Sequence, residues 1–223
     1  ARIVHVYGMT ESYGPYALNE WQAGWSAMSA AEQARRQARQ GVAMIQSDPV
    51  RVVDQHMNDV PRDGQTMGEI VMRGNNVMAG YFRDEEATDK AFEGGWLHTG
   101  DLGVQHSDGY VELRDRSKDI VISGGENIST IEIEHAIEAH PAVSEVAVIG
   151  VPDETWGEVG HAFVIPKAGC PELSAEELTR WARERLAGYK VPRHVTFCDD
   201  LPRTALGKVR KFLLKRRLEN ETT

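Results

Sequence analysis

The chain has 223 residues, and its 41% hydrophobic content suffices for the core of one large domain or two smaller ones. Its formal net charge of −9 argues against a general nucleic-acid-binding protein, because phosphate backbones favour clustered Lys and Arg. The two cysteines, Cys170 and Cys198, lack metal-ligand spacing and indicate a reducing compartment, for which the cytosol is the default expectation.

The chain opens on an apolar segment that runs directly into a glycine. The residues from Ala1 to Gly8 predict a strand, and a buried strand so close to the first residue, without an initiator methionine, suggests a fragment of a longer protein. No stretch approaches the ~18 apolar residues that cross a bilayer, and the first residues lack the charged and apolar regions of a signal peptide. We therefore expect no membrane span.

The first half of the chain predicts mostly β-structure with two helices. The segment from Ser29 to Gly41 has an N-cap serine, an acidic first turn and a terminal glycine, which together predict a surface helix. Turn-rich stretches separate the remaining elements. The remaining elements are predicted strands at Pro49–Val53, Gly68–Arg73 and Tyr110–Leu113 and a predicted short helix at Asp84–Phe92.

The second half alternates helices and strands over about a hundred residues, a normal domain size. Helices are predicted at Thr130–Ala139, Ser174–Leu186 and, strongly basic, Val209–Leu218, and strands at Val143–Val151, Gly160–Pro166 and Arg193–Phe197. The pattern predicts an α/β (α+β) protein in which a mostly β part precedes a small α+β domain.

Between the two halves lies a segment with three features that suit ligand contact. Arg116 can donate several hydrogen bonds in a fixed fork, and Lys118 follows two residues later. The apolar strand Ile120–Ile122 anchors the loop after it, and the glycines of Ser123-Gly124-Gly125 let the backbone come close to a bound molecule. A structural joint alone would not need all three, so we interpret this segment as a joint between domains that also contacts ligands.

A second segment, Tyr7-Gly8-Met9-Thr10-Glu11, is predicted where a strand ends, which is the place where open sheets bind ligands. It offers an aromatic face, a close-approach glycine, a hydroxyl and a carboxylate in succession. That set suits a nucleotide and its metal ion. A plain turn with a capping Thr10 is the alternative interpretation.

A third segment, Trp96 to Asp101, places a carboxylate after a glycine turn. An ionised Asp101 accepts hydrogen bonds only, so it can hold both hydroxyls of a ribose, as acidic residues do in dinucleotide sites. A turn-stabilising aspartate explains the pattern equally well. We expect His98 to be a packed or surface histidine, because no partner accompanies it at metal-ligand spacing.

The fourth segment, Leu201 to Lys208, ends in a lysine that a glycine-containing loop presents just before a helix. Lysine is a compact charge on a flexible stem and suits an anion that is engaged in one state and released in another. The loop is not of the Gly-x-x-x-x-Gly-Lys-Ser/Thr kind, since the first glycine and the following hydroxyl are absent. An exposed surface lysine is the alternative.

Taken together and in this order, the four segments resemble motifs of the adenylate-forming superfamily, which contains acyl-CoA synthetases, adenylation domains and luciferases. The matching segments are Tyr7–Glu11, Thr99–Asp101, Asp115–Ile128 and Pro202–Lys208. The resemblance covers essentially the whole chain, but only the C-terminal part of a full family member. It implies the end of a large AMP-binding domain over residues 1–115, a hinge at 116–118 and a small mobile domain over 119–223.

Within the superfamily, the chain is most similar to bacterial medium-chain fatty acyl-CoA synthetases and their plant acyl-activating relatives. The stretches that carry this likeness are Trp21–Trp25, Ala38–Val42 and Arg116–Ser129. The resemblance implies an AMP-forming ligase that takes a carboxylic acid, here a medium-chain fatty acid, together with ATP, Mg²⁺ and coenzyme A. It leaves the oligomeric state open.

The resemblance also implies roles for the first motif. Tyr7 would stack on adenine, Gly8 and Met9 would line the nucleotide, and Thr10 would contact phosphate. Glu11 would hold Mg²⁺, a hard cation that prefers oxygen ligands.

The other motifs receive roles in the same way. Asp101 and Arg116 would grip the ribose, and Lys208 would bridge the attacking carboxylate and the α-phosphate. Lys118 matches the hinge about which the small domain rotates. That rotation would withdraw Lys208 and bring Ser123-Gly124-Gly125 towards the pantetheine of coenzyme A.

Some parts of a complete enzyme are missing from the sequence. It contains no Ser/Thr/Gly-rich phosphate loop, and most of an acyl pocket would lie upstream of Ala1. We therefore expect the isolated chain to be unable to make acyl-CoA. Two other functions remain open at this point: a noncatalytic nucleotide-binding or interaction module, and an adenylating ligase that loads a carrier protein.

Overall fold

A computed structural model describes residues 3–170 and 173–221 of the chain. The chain folds into two compact units, residues 1–117 and residues 118–223. Both units combine sheets with helices, which confirms the predicted α/β (α+β) class. No helix among the described residues has the length and apolar character needed to cross a membrane.

The N-terminal unit begins with a small antiparallel sheet in the strand order β1-β2-β3. Its strands are β1 Val6–Met9, β2 Gly14–Leu18 and β3 Val42–Ala43, and helix α1, Ala30–Gln37, precedes β3. Short 3₁₀ turns occupy Thr10–Ser12 and Ala23–Ala27. The hydroxyl of Ser29 accepts a hydrogen bond from the Glu32 amide at 3.3 Å, which confirms the predicted N-cap.

A second sheet of four antiparallel strands follows in sequential order. Its elements are β4 Arg51–Val53, β5 Gly68–Met72, helix α2 Glu85–Ala91, β6 Leu97–Gln105 and β7 Val111–Arg116. One apolar cluster joins the two sheets, with Tyr16 of β2 packed among Ile70, Met72 and Leu97 of the second sheet. This packing stabilises the unit and brings β1 close to β6.

The C-terminal unit contains a five-stranded sheet in the order β10-β11-β8-β9, with β12 parallel to β11. The strands are β8 Val121–Ser123, β9 Glu126–Ile128, β10 Val143–Asp153, β11 Gly157–Pro166 and β12 His194–Phe197. The helices are α3 Thr130–Glu138, α4 Ala175–Arg183 and α5 Lys211–Glu221. Apolar side chains of α3 and α4, including Ile133, Ile137 and Leu178, pack on one part of this sheet.

Helix α5 is tied to the same unit by apolar packing and by a charged contact. Leu214 is fully buried in a cluster with Ala147, Ile149 and Phe163 of the sheet. The Lys211 ammonium lies 2.8 Å from a Glu134 carboxylate oxygen, and it donates to the Thr130 hydroxyl at 2.6 Å. The side chains of Lys211 and Glu134 are only 14% and 16% exposed, so this ion pair is largely shielded from water.

The first strand differs from the sequence-based expectation. It begins at Val6, and it is not buried, since Ile3, Val4 and Val6 are 87%, 50% and 49% exposed. Ala1 and Arg2, which the prediction included in this strand, lie outside the described residues.

Two elements of the C-terminal unit also differ. Glu126–Ile128 forms a strand paired with β8, which the polar sequence did not predict. The last helix begins at Lys211 and not at Val209, because Val209 pairs with Arg203 in an isolated bridge just before the helix. The other predicted helices and strands are present, with ends shifted by a few residues.

Candidate functional site

Tyr7 in β1 and Asp101 in β6 are in direct contact. The Tyr7 hydroxyl donates a hydrogen bond to Asp101 Oδ2 at 2.8 Å, across 94 positions of sequence. Burial, followed by the adjacent Asp101 carboxylate, raises the pKa of Tyr7 well above its ordinary value. The phenol therefore stays protonated near neutral pH and acts as a donor that fixes one oxygen of Asp101.

Arg116 approaches the other oxygen of the same carboxylate. Asp101 and Arg116 are paired residues of β6 and β7, and Arg116 Nε lies 3.3 Å from Asp101 Oδ1. The Asp101 side chain is 12% exposed and that of Arg116 is 55% exposed, so the carboxylate is sheltered while the guanidinium reaches solvent. Strand pairing thus brings together Asp101 and Arg116, and packing of the two sheets adds Tyr7, so that three residues to which the resemblance gives nucleotide-binding roles lie side by side.

The backbone before Asp101 corrects the sequence interpretation, because Asp101 lies inside a nine-residue strand and does not follow a turn. Gly100 has a φ of +69°, a conformation that favours glycine, and its amide donates to Glu69 Oε1 at 2.9 Å. The other Glu69 carboxylate oxygen lies 2.8 Å from Nδ1 of His98. Glu69 therefore holds the distorted strand in place next to Asp101, a role that no sequence signal indicated.

His98 is a structural residue in this arrangement, as expected from the sequence. Partial burial acts to lower its pKa, but the hydrogen bond and the negative charge of Glu69 outweigh burial and raise the pKa of His98. Its second ring nitrogen lies 3.1 Å from the backbone carbonyl oxygen of Glu93.

The residues after Tyr7 form a short turn beside an open cleft of about 460 Å³. The lining of the cleft consists of Val6, Tyr7, Gly8, Met9, Thr10, Gly14 and Pro15. Thr10 is exposed at the start of the turn. Gly8 has a structural reason to be glycine, because a Cβ there would lie 2.0 Å from the carbonyl oxygen of Gly14 in the paired strand.

Glu11 also lies in this turn, and a residue that the sequence did not single out contacts its carboxylate. The Tyr81 hydroxyl donates to Glu11 Oε1 at 3.0 Å. Within residues 3–170 and 173–221 there is no group of three or more His, Cys, Asp or Glu side chains that could hold a metal ion. A lone carboxylate still fits Mg²⁺, which usually takes one or two protein carboxylates and completes its shell with phosphates and water.

The Ser123-Gly124-Gly125 segment is a tight hairpin turn between β8 and β9. Gly124 and Gly125 have φ angles of +59° and +86°, so both turn positions require the left-handed conformation. The Gly124 amide donates to the Trp156 carbonyl at 2.8 Å, and a Cβ at Gly124 would lie 3.0 Å from the Trp156 ring. Turn geometry and packing therefore explain the glycines structurally.

Lys208 is exposed and follows a compact turn directly before α5. The Thr204 amide donates to the Lys208 carbonyl at 2.8 Å, and the Lys208 amide lies 3.2 Å from the Thr204 hydroxyl oxygen. Gly207 adopts a φ of +86° inside this turn. The local hydrogen bonds fix the backbone at Lys208 and leave its ammonium group in solvent.

Lys118 is exposed in a turn that follows β7. The division of the chain into two compact units falls between Ser117 and Lys118. The Ser117 amide donates to the Gly100 carbonyl at 2.9 Å, so the last residue of the N-terminal unit is held beside the strand that carries Asp101.

Two protein-family models match the chain: "AMP-binding enzyme" over residues 1–82 and "AMP-binding enzyme C-terminal domain" over residues 132–208. An acetate–CoA ligase of Humulus lupulus is 47% identical over 219 residues, which are 96% of this chain and 38% of that protein. A peroxisomal trans-cinnamate:CoA ligase of Petunia hybrida is 46% identical over 214 residues, which are 96% of this chain and 37% of that protein.

A solved structure of o-succinylbenzoate CoA synthetase from Bacillus subtilis, in complex with its acyl-adenylate intermediate, has a similar fold. The TM-score is 0.79 at 34% identity, and the match covers 95% of this chain and 40% of that one. The chain thus spans 37% to 40% of the length of these relatives. The two family models in succession, the similar fold and the contacts among Tyr7, Asp101 and Arg116 lead to one conclusion: the chain belongs to the AMP-binding enzyme family.

Proposed function

We propose that the protein carrying this chain is an AMP-forming acid–CoA ligase. The contact of Asp101 with both Tyr7 and Arg116 is the observation that carries this proposal. The sheltered Asp101 carboxylate lies between the Tyr7 phenol and the Arg116 guanidinium. Such a carboxylate suits the hydroxyls of a nucleotide's ribose, and the aromatic ring of Tyr7 suits its base. The CoA-ligase names of the Humulus and Petunia relatives support the choice of thiol acceptor.

The proposed reaction has two steps. In the first, a carboxylate oxygen of the acid attacks the α-phosphorus of ATP, and the bond from that phosphorus to the bridging oxygen breaks to release pyrophosphate. In the second, the sulfur of coenzyme A attacks the acyl carbon, its proton leaves to solvent, and the carbon–oxygen bond to AMP breaks. Splitting the reaction in this way replaces a poor leaving group by a good one.

In the first step, the N-terminal unit orients the nucleotide. Asp101 accepts hydrogen bonds from the ribose hydroxyls while Arg116 supplies donors at the edge of the site. The Tyr7 ring offers a stacking face for adenine, and its hydroxyl stays bonded to Asp101. Thr10, which is exposed and lines the cleft, is proposed to contact phosphate.

Glu11 is the residue that would hold Mg²⁺ in this unit. When bound, the ion neutralises charge on the phosphate oxygens, which otherwise repel an incoming carboxylate. The protein contributes the position of the Glu11 carboxylate at the start of the turn after β1.

The C-terminal unit supplies groups that we assign to different steps. Lys208 is proposed to lie between the acid carboxylate and the α-phosphate during adenylation, where a positive charge lowers the repulsion between two anions. Ser123-Gly124-Gly125 is proposed to face the pantetheine of coenzyme A during thioester formation. Rotation at Lys118 would exchange these two groups at the reacting centre.

The acid is proposed to be a medium-chain fatty acid and the compartment the cytosol. The support for the acid is the sequence likeness carried by Trp21–Trp25 and Ala38–Val42. The named acids of the relatives, acetate and trans-cinnamate, set the first competitors to be compared with octanoate in assays.

The test uses the complete protein and its Lys208→Ala variant. Adenylation, measured by pyrophosphate exchange, is expected to fall by about a hundredfold or more, which is the usual scale for removing one charge-stabilising donor. Thioester formation from supplied acyl-AMP and free coenzyme A is expected to survive largely intact. The control is Lys167→Ala, which removes another exposed lysine of the same unit.

Several outcomes would contradict the proposal. A complete protein that binds ATP without exchanging pyrophosphate would be a noncatalytic nucleotide-binding module. Acyl-AMP that is released only to a carrier protein, and not to free coenzyme A, would identify a carrier-directed ligase. The isolated chain is expected to show neither activity, and robust turnover by it would refute the expectation that it is catalytically incomplete.

A further inference from the structure

The loop between β5 and α2 contacts the turn after β1 at three points. The Asn76 side-chain amide lies 3.3 Å from the Ser12 carbonyl oxygen, and the Met78 amide donates to the Glu11 carbonyl at 2.7 Å. The third contact is the hydrogen bond of 3.0 Å from the Tyr81 hydroxyl to Glu11 Oε1. Both the backbone and the carboxylate of Glu11 are therefore held by a segment about 70 positions away in the sequence.

Tyr81 is itself fixed by the start of α2. Its amide donates to the Thr88 hydroxyl oxygen at 2.9 Å, and that hydroxyl donates to the Asp84 carbonyl at 2.7 Å. Gly80 has a φ of +154°, and a Cβ there would lie 2.6 Å from the Thr88 methyl carbon. The loop thus packs closely against the helix, and this packing sets the position of the Tyr81 backbone.

The contact has a chemical consequence for Glu11. Among the described residues, the Tyr81 hydroxyl is the only side-chain donor to the Glu11 carboxylate. It occupies one oxygen, restricts rotation of the carboxylate plane and leaves the second oxygen for another partner. Hydrogen bonds of this kind orient carboxylates that ligate metal ions, and their loss commonly weakens metal binding by about tenfold or more.

We propose that Tyr81 is a positioning residue that orients Glu11 for a Mg²⁺ ion bound with the nucleotide phosphates. This inference rests on the proposed function, in which Glu11 contacts that ion. Tyr81 acts through Glu11 and does not touch the reacting atoms.

The test is the Tyr81→Phe variant of the complete protein, which removes only the phenol oxygen. Mn²⁺ serves as a paramagnetic probe for the Mg²⁺ position, and its affinity for the complex with a nonhydrolysable ATP analogue is measured by electron paramagnetic resonance. The Mn²⁺ dissociation constant is expected to rise about tenfold. In pyrophosphate exchange, the Mg²⁺ concentration for half-maximal rate is expected to rise similarly, with little change in the rate at saturating Mg²⁺.

Two further variants make the result decisive. Tyr13→Phe removes the phenol oxygen of a tyrosine that is 93% exposed next to the same turn, and it is expected to bind Mn²⁺ like the wild type. Glu11→Gln is expected to lose Mn²⁺ affinity more severely than Tyr81→Phe. Unchanged Mn²⁺ affinity in Tyr81→Phe, with a loss in Glu11→Gln, would overturn the role of Tyr81 alone. Unchanged affinity in both would remove the metal role of Glu11 and this inference with it, whereas a wild type without pyrophosphate exchange would contradict the proposed function.

Discussion

In the N-terminal unit, Tyr7 and Arg116 come from different strands and both contact Asp101 of a third strand, whereas Lys208 of the C-terminal unit is bonded through its backbone to Thr204 only four positions away. The first arrangement depends on long-range strand pairing between β6 and β7 and on the packing of β1 against them, and it holds Asp101 against both partners. The second depends on a local turn and leaves its ammonium group in solvent. The proposed mechanism needs both arrangements. The nucleotide has to stay bound to fixed groups such as Asp101, Tyr7 and Arg116, while the Lys208 ammonium group has to be free to act in one step only.

The contrast between the two units is tested most directly by removing the negative charge of Asp101, which both Tyr7 and Arg116 contact. Asp101→Asn loses the charged acceptor of Tyr7, the partner of Arg116 and the proposed acceptor of the ribose hydroxyls. We expect kcat/KM for ATP in the complete protein to fall by about a hundredfold, since hydrogen bonds to a charged group contribute roughly 1.5–3 kcal/mol each. The measurement is pyrophosphate exchange at varied ATP.

The control for that variant is Asp89→Asn, which changes an exposed carboxylate of α2 in the same unit. It should leave kcat/KM for ATP unchanged. An Asp101→Asn protein that folds normally and retains wild-type kcat/KM would show that the carboxylate does not bind the nucleotide.

A second prediction concerns the anchor next to the exposed turn of the C-terminal unit. Lys211→Met removes the ammonium group that contacts Glu134 and Thr130, and it leaves a mostly shielded carboxylate without its cation. We expect the free energy of opening of this unit to fall by about 2–4 kcal/mol, because the Glu134 carboxylate keeps its hydrogen bond from the Val148 amide but loses a shielded positive charge that offsets its lost hydration. Hydrogen exchange of the α5 backbone amides in the complete protein measures this change.

The matched substitution Lys167→Met removes a lysine that is exposed in the same unit, and its exchange rates should equal those of the wild type. If the α5 amides of Lys211→Met exchange at the wild-type rate, apolar packing alone holds α5. That result would also remove the contrast between a solvent-exposed turn and a firmly anchored helix.

The smallest expected effect is a pH dependence of the stability of the C-terminal unit. Burial, and then the neighbouring His194, lower the pKa of His161 to about 4. Glu158, Lys215 and Glu219 line the cavity of about 710 Å³ that His161 also borders. Because the folded state holds this imidazole neutral, the stability it contributes is present above the unfolded pKa of about 6.5 and is lost as pH falls towards 4.

Between pH 6.5 and pH 5.5, this linkage amounts to at most about 1 kcal/mol. Hydrogen exchange of the β11 backbone amides in the complete protein, recorded at several pH values in that range, measures the free energy of opening of this unit. His161→Gln keeps a polar side chain that does not titrate, and it should flatten the profile. A profile that is equally steep in both proteins would assign the pH dependence to other groups.

The accuracy of the sequence interpretation depended on how local each signal was. Helices α1 and α3 were both predicted, and each begins after a serine, Ser29 or Ser129, whose side chain accepts a hydrogen bond from the amide three residues later. Asp101 was placed after a turn because Gly100 precedes it, and its position inside β6 became visible only through pairing with β5 and β7. Glu69 and Tyr81 carry no local signal, since their functional contacts lie 31 and 70 positions away.

The mixed α/β (α+β) class, most helices and strands, and the order of the four motif segments could be read from the amino-acid sequence, because caps, periodicity and turn residues act over a few positions. Which of those motif residues contact one another became clear from the folded chain. Strand pairing placed Arg116 opposite Asp101, packing brought Tyr7 within hydrogen-bond distance of the same carboxylate, and a distant loop placed Tyr81 on Glu11. The physical reason is that these contacts join residues far apart in the chain, so the packing of the whole unit sets their geometry.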